Sequence, residues 1–137
     1  MRGALKPALI ALCGVLASAL SAGTPVHGQE DNRCGDLETT LQRQQCFQDS
    51  LKEVEGEISK LMVQLQQTYK SKKAERAAKE LNDDAMRWNS FVSQHCAMLA
   101  RRFDGGSEAA VAVKVCSLRL AVQRKDELKL LLADAAL

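Results

Sequence analysis

The sequence is poor in aromatic residues and in proline. Of its 137 residues, 4% are aromatic and two are proline, and no segment alternates apolar and polar side chains as a half-buried strand does. Helix-favouring residue types such as alanine, leucine, glutamine, lysine and glutamate are frequent instead. A hydrophobic fraction of 46% and a charged fraction of 26% argue against disorder. The sequence therefore predicts one all-α domain.

The sequence also lacks the patterns of common catalytic and metal sites. It has no phosphate-binding loop, no serine-triad pattern and no C-x-x-C pair, and His27 and His95 are far apart. His95 precedes Cys96, but adjacent helix positions point about 100° apart, so the two do not form a nucleophile and base. We expect no enzyme activity, no metal and no cofactor.

Neither sign of charge is in large excess. The chain has 19 basic and 17 acidic residues, and two of the basic residues, Arg2 and Lys6, lie in a segment that we expect to be removed. The remaining chain is then formally neutral. The basic stretch from Lys70 to Lys79 contains Glu75 and no interleaved aromatic residue, as is typical of a solvated helix junction. We therefore expect no nucleic-acid partner.

The first 28 residues have the organisation of a secretory signal peptide. Two basic residues precede an apolar run from Ala8 to Leu20, and small residues then allow cleavage after Ala22 or after Gly28. The run of 13 residues is too short for the apolar layer of a bilayer, which is roughly 30 Å thick. A membrane anchor is therefore disfavoured, and residues 29–137 are expected to form the mature domain.

A lipoprotein signal is an alternative because Cys13 lies in the apolar run. Its preceding residue is Leu12, where bacterial lipoprotein signals have a small residue, and Cys13 also comes before the apolar run is complete. We therefore expect a soluble protein, periplasmic or secreted, with no stable membrane insertion after signal cleavage.

Removal of the signal leaves an even number of cysteines: Cys34, Cys46, Cys96 and Cys116. In a short exported chain this number predicts disulfides, and four cysteines allow three connectivities. Cys96 and Cys116 flank the only Gly-Gly of the mature chain, so two antiparallel helices would bring them to similar heights. Near neighbours are therefore expected to pair, as 34–46 and 96–116.

Apolar residues recur at helical spacing through most of the mature chain. One stripe comprises Leu51, Val54, Ile58, Leu61, Leu65 and Tyr69. A second comprises Ala74, Ala78, Leu81, Ala85, Trp88, Val92, His95 and Leu99. A third comprises Val113, Cys116, Leu120, Leu128 and Leu131. These stripes predict three long helices.

Local signals predict where these helices begin and end. The capping box Ser50-Leu51-Lys52-Glu53 predicts the start of the first long helix, and a shorter helix is expected around Leu37 and Leu41. Gly105-Gly106 suits a helix stop, and Ser107 followed by Glu108 suits a new start. The expected fold is a small antiparallel bundle of three long helices and a short N-terminal one, stapled by two disulfides.

The cysteines and their neighbours form a recognisable pattern. Cys34 and Cys46 precede a long helix, and a W-x2-F-x4-C segment, a Gly-Gly-Ser turn and a C-x7-R-x3-L segment follow. This order and spacing, from Cys34 to about Leu132, resembles the LprI-like lysozyme inhibitor family of exported bacterial proteins. The resemblance implies a protein that inhibits lysozyme-type peptidoglycan hydrolases, with a lysozyme or related muramidase as its partner.

Three residues of this pattern are expected to be structural. Trp88 and Phe91 lie one turn apart on an apolar stripe, which predicts that both lie in the core. Arg124 lies between Leu120 and Leu128, so we expect it to reach a carboxylate of the same chain in a salt bridge.

The candidate partner-binding residues lie on the glycine turn: Asp104, Gly105, Gly106, Ser107 and Glu108. A short turn stapled by a disulfide loses little conformational entropy on docking into a cleft. The alternative function is a periplasmic helical adaptor or assembly factor that binds another envelope protein. A local acidic patch facing the turn would favour the inhibitor, and an extended exposed apolar groove would favour the adaptor.

Overall fold

The structure, a computed structural model, describes residues 33–137 as a helical bundle. Helix α1 spans Thr40–Ser71, α2 spans Glu75–Ala100 and α3 spans Gly106–Ala136. A 3-10 helix, Arg101–Phe103, follows α2 directly, and residues 33–35 form a short N-terminal helical segment. The described residues contain no strand. The all-α prediction is confirmed, whereas the predicted signal peptide and Cys13 lie outside the described residues.

Helix α1 begins earlier than its predicted start. The Gln42 amide donates to Thr39 Oγ1, and the Thr39 amide donates to Gln42 Oε1, each over 3.2 Å. This capping box starts α1 at Thr40, and Ser50 lies well inside the helix. The predicted start at Ser50 is wrong because the helix-favouring residues before it continue the same helix. Leu41 accordingly belongs to the first turn of α1.

The connection between α1 and α2 is three residues long. The Lys73 amide donates to the Lys70 carbonyl over 3.1 Å, and the Ala74 amide donates to the Tyr69 carbonyl over 2.8 Å. Lys73 has φ 56°, so this is a Schellman-type helix end with a left-handed residue. The connection reverses the chain and makes α2 antiparallel to α1.

The connection between α2 and α3 contains three successive residues with positive φ. Asp104 has φ 49°, Gly105 has φ 86° and Gly106 has φ 77°. Gly105 is the N-cap of α3 and no side chain caps the helix, so the predicted start at Ser107 is wrong by one residue. A Cβ at either glycine would meet nothing within 4 Å. The glycines are therefore needed for backbone conformation and not for space.

The core consists of three clusters arranged around α3. The cluster between α1 and α3 contains Cys34, Phe47, Leu51, Val54, Val111, Leu118 and Ala121. All three helices meet in the cluster of Leu65, Leu81 and Leu128. The cluster between α2 and α3 contains Cys96, Cys116 and Leu120. Thus α3 packs against both other helices along its length, whereas α1 and α2 meet near their connection.

Both predicted disulfides are confirmed. Cys34 bonds to Cys46 and Cys96 bonds to Cys116, with a Cα–Cα distance of 5.5 Å in each pair. The first bond ties the N-terminal segment to α1, and the second ties α2 to α3 close to the glycine turn. Within residues 33–137, no helix is long and apolar enough to cross a bilayer.

Candidate functional site

The predicted partner-binding turn lies at one end of the bundle. All five residues from Asp104 to Glu108 are exposed, and the Cys96–Cys116 bond holds the helices on either side of them. Helices α1 and α3 run parallel, so the start of α1 lies at the same end as this turn. We call this end of the bundle the turn end: the turn at 104–108, the 3-10 helix and the residues that precede α1 and begin it.

The carboxylate of Glu108 is bound by α1. It accepts a hydrogen bond from the Thr40 hydroxyl over 3.0 Å and forms an ion pair with Arg43. These contacts join the first turn of α3 to the first turn of α1. Glu108 therefore has a structural role that needs no partner protein, and it also lies where a negative charge stabilises a helix N-terminus.

The turn end mixes both signs of charge with apolar side chains. Asp36, Glu38 and Asp104 are exposed there, but Arg101 and Arg102 are exposed beside the same turn. The acidic patch that would favour an inhibitor of a basic enzyme is therefore not formed by this end.

Exposed leucines and a phenylalanine complete the turn end. Leu41 is 75% exposed, Leu37 is 37% exposed and Phe103 is 38% exposed. Arg102 places its guanidinium carbon 4.8 Å from the centre of the Phe103 ring. Sequence reasoning missed these residues because it searched for them as core or connection and not as surface, although Arg101-Arg102-Phe103 directly precedes the predicted turn.

A groove between α1 and α2 is the largest concave surface in the described part of the chain, with a volume of about 890 Å³. The two helices separate as they leave their connection, and α3 forms the floor. Apolar lining comes from Leu51, Ile58, Met62, Trp88, Val92 and Val113. Polar lining comes from Glu55, Ser59, Asn89, Ser93, Ser117 and Arg124. This groove meets the description of an exposed apolar groove that would favour an adaptor.

Arg124 lies at the floor of this groove and is held by its own chain. It forms ion pairs with Asp84 on α2 and, over 3.7 Å, with Glu127 one turn along α3. Its guanidinium carbon lies 5.4 Å from the centre of the Trp88 ring, and its side chain is only 13% exposed. The structure thus places Arg124 in the expected intramolecular salt bridge, with Asp84 as the carboxylate.

The two aromatic residues on α2 differ in burial. Trp88 is half-buried and packs against the cluster between α2 and α3. Phe91 is 47% exposed, so its predicted place in the core is wrong. It precedes Val92, which packs on α3, and adjacent helix positions point about 100° apart. The Phe91 ring instead stacks on His95, with ring centres 5.2 Å apart.

Within residues 33–137, no group of three His, Cys, Asp or Glu side chains is placed to hold a metal ion. The concave surfaces and the turn end therefore offer binding by shape, apolar contact and charge.

A family model described as lysozyme inhibitor LprI matches residues 31–128 of the chain. The match spans both disulfides, the groove and the whole turn end. No curated protein and no solved structure matches the chain.

Proposed function

The chain belongs to the lysozyme inhibitor LprI family, and we propose from this premise that it is an exported bacterial inhibitor of lysozyme-type peptidoglycan hydrolases. The family match over residues 31–128 carries the proposal, because it covers all three long helices up to Leu128 and the turn between α2 and α3. The protein acts by binding the enzyme and not by chemistry of its own.

Export is part of this proposal. The disulfides Cys34–Cys46 and Cys96–Cys116 need an oxidising compartment, and the bacterial periplasm and the extracellular space provide one. The first 28 residues have the composition of a secretory signal. A periplasmic or secreted inhibitor meets lysozyme-type enzymes where they attack peptidoglycan.

The turn end is the proposed contact surface. An inhibitor of a glycan-cleaving enzyme must fill the substrate cleft or cover its rim, and a narrow end of a helical bundle fits a cleft better than its flat sides. The turn at 104–108 is exposed, short and held by Cys96–Cys116, so it loses little entropy on docking. Exposed Leu41 and Phe103 supply apolar contacts beside it.

The decisive experiment measures lysis of peptidoglycan by lysozymes of different types in the presence of the purified, oxidised protein. Inhibition of at least one lysozyme in proportion to the protein concentration is the expected result. If no lysozyme is slowed, the inhibitor function is wrong and the adaptor is favoured.

The turn itself is tested by the double variant Asp104→Asn and Glu108→Gln. Asparagine tolerates the left-handed backbone at position 104, and glutamine keeps an acceptor for the Thr40 hydroxyl. We expect inhibition to weaken by about tenfold if the two charges contact the enzyme. Asp134→Asn, at the far end of α3, is the matched control and is expected to inhibit like the unmodified protein. Unchanged inhibition in the double variant would place the contact elsewhere.

A helical adaptor is the second candidate, and the groove between α1 and α2 favours it. Its apolar walls and open side are suited to a segment of another envelope protein. The two functions make opposite predictions for Val92→Glu, which puts a charge into the groove, far from the turn. This change leaves inhibition intact if the turn end binds lysozyme, and it abolishes binding of an adaptor partner.

A further inference from the structure

The charged side chains of the turn end differ in whether they are already paired. Glu108 is held by Arg43 and Thr40, as described above. Within residues 33–137, neither Arg101 nor Arg102 forms an ion pair. The cationic groups of this end are therefore the ones free to meet a charge on a partner.

Arg102 differs from Arg101 in what holds it. Arg101 is the C-cap of α2, where a positive charge stabilises the exposed carbonyl groups of the helix end. The guanidinium of Arg102 lies over the Phe103 ring and lines a hollow of about 370 Å³ beneath the turn. Stacking on an aromatic ring restrains a long side chain before any partner arrives. Arg102 therefore loses less rotamer entropy on binding than a fully mobile arginine.

The backbone around Arg102 is also restrained. It lies in the 3-10 helix that follows α2, and Asp104 and Gly105 then reverse the chain with positive φ. Cys96, six residues earlier, is bonded to α3. Arg102 is thus presented at the tip of the bundle on a turn whose two sides are fixed.

The partner chemistry that fits such a group is a carboxylate in a cleft. Lysozyme-type glycosidases use a pair of carboxyl groups that flank the scissile glycosidic bond. A guanidinium donates two parallel hydrogen bonds to a carboxylate, which an ammonium group does not do in the same geometry. Phe103 would at the same time contact the apolar surface that a sugar ring covers in the substrate complex.

We propose that Arg102 enters the substrate cleft of the target hydrolase and pairs with one of its catalytic carboxylates. This inference rests on the proposed function and adds to it the contact that blocks catalysis. Overall charge attraction is not required, because the mature chain is formally neutral and the pairing is local.

The test compares Arg102→Gln with Arg101→Gln, using a lysozyme that the unmodified protein inhibits. Arg102→Gln is expected to raise the inhibition constant by at least about tenfold, and Arg101→Gln by less than about threefold. Thermal melting of both variants checks that the fold is kept, as expected for exposed side chains. Equal losses in the two variants would indicate unspecific attraction by the arginines and would overturn the proposal.

A second measurement identifies the group that Arg102 meets. Binding is titrated against the active lysozyme and against two inactive enzyme variants in which one or the other catalytic carboxyl is replaced by its amide. The unmodified protein is expected to bind at least one amide variant about tenfold more weakly, and Arg102→Gln is expected to bind all three enzymes alike. Equal binding of the unmodified protein to all three enzymes would exclude the pairing while leaving inhibition itself intact. If the unmodified protein inhibits no lysozyme at all, the proposed function fails first and this inference fails with it.

Discussion

At the scale of single residues, Lys73 combines an L side chain with a left-handed backbone. Its φ of 56° closes the Schellman-type end of α1, where glycine is the usual residue. The left-handed conformation costs a residue with a Cβ roughly 1 kcal/mol, and glycine avoids that cost. The chain has glycine at the equivalent strained positions of the second connection but not here.

Lys73→Gly is therefore expected to raise the free energy of unfolding by about 0.5–1 kcal/mol. The measurement is urea or thermal unfolding of the oxidised protein. Lys72→Gly is the matched control, because Lys72 has φ −84° and gains nothing from glycine, so its substitution should lower stability. Stabilisation by both variants, or by neither, would contradict the role assigned to the left-handed backbone.

At the scale of helices, the two halves of α2 are held differently. Its first half contacts α1 through Leu81 and Leu65, and Gln66 Nε2 donates to the Ala78 carbonyl and to Asn82 Oδ1, each over 2.8 Å. Its second half packs on α3 alone, through the cluster that includes the Cys96–Cys116 bond. The groove separates this half from α1, so the disulfide is its main covalent and packing support.

Replacing Cys96 and Cys116 with alanine should therefore loosen the second half of α2 before the rest of the bundle. We expect a global loss of about 3 kcal/mol and a large loss of amide hydrogen-exchange protection over residues 88–100. The protection of α1 against α3 should change less, because their shared cluster does not include this bond.

The pair Cys34→Ala and Cys46→Ala is the control for this experiment. It should expose residues 33–38 to exchange while leaving residues 88–100 protected, since that bond joins the N-terminal segment to α1. A uniform loss of protection across all three helices in the Cys96 and Cys116 variant would mean that the bundle unfolds as one unit.

At the scale of the whole molecule, two features of the sequence point to the same compartment. The first 28 residues resemble a secretory signal, and the remaining cysteines number four and pair completely in the structure. An exported chain with a modest core gains much of its stability from such bonds.

Mass spectrometry of the protein recovered from the periplasm or the medium checks this directly. The N-terminus is expected between Gly23 and Gln29, with a mass four hydrogens below that of the reduced chain. The same protein treated with a reductant provides the reference mass. An intact N-terminus or free thiols in native material would contradict export with oxidation.

Part of this molecule could be predicted from patterns within a few residues. Helical spacing gave the three long helices, and the position of Gly105-Gly106 between Cys96 and Cys116 gave the disulfide pairing. Helix starts were predicted less well. Both Thr39-to-Gln42 and Ser50-to-Glu53 carry capping signals, and only the first one is used, because nothing interrupts the helix between them.

The sequence by itself therefore determined the helical class, the apolar face of each helix, the disulfide pairs and the family pattern, because each depends on spacing along the chain. Only the tertiary structure decided that α1 and α2 separate into a groove, that Glu108 is bound by Arg43, and that Phe91 is exposed. These features depend on the angles at which helices pack and on contacts between residues far apart in the chain. Local periodicity carries no information about either, so they appear only when the three helices are assembled.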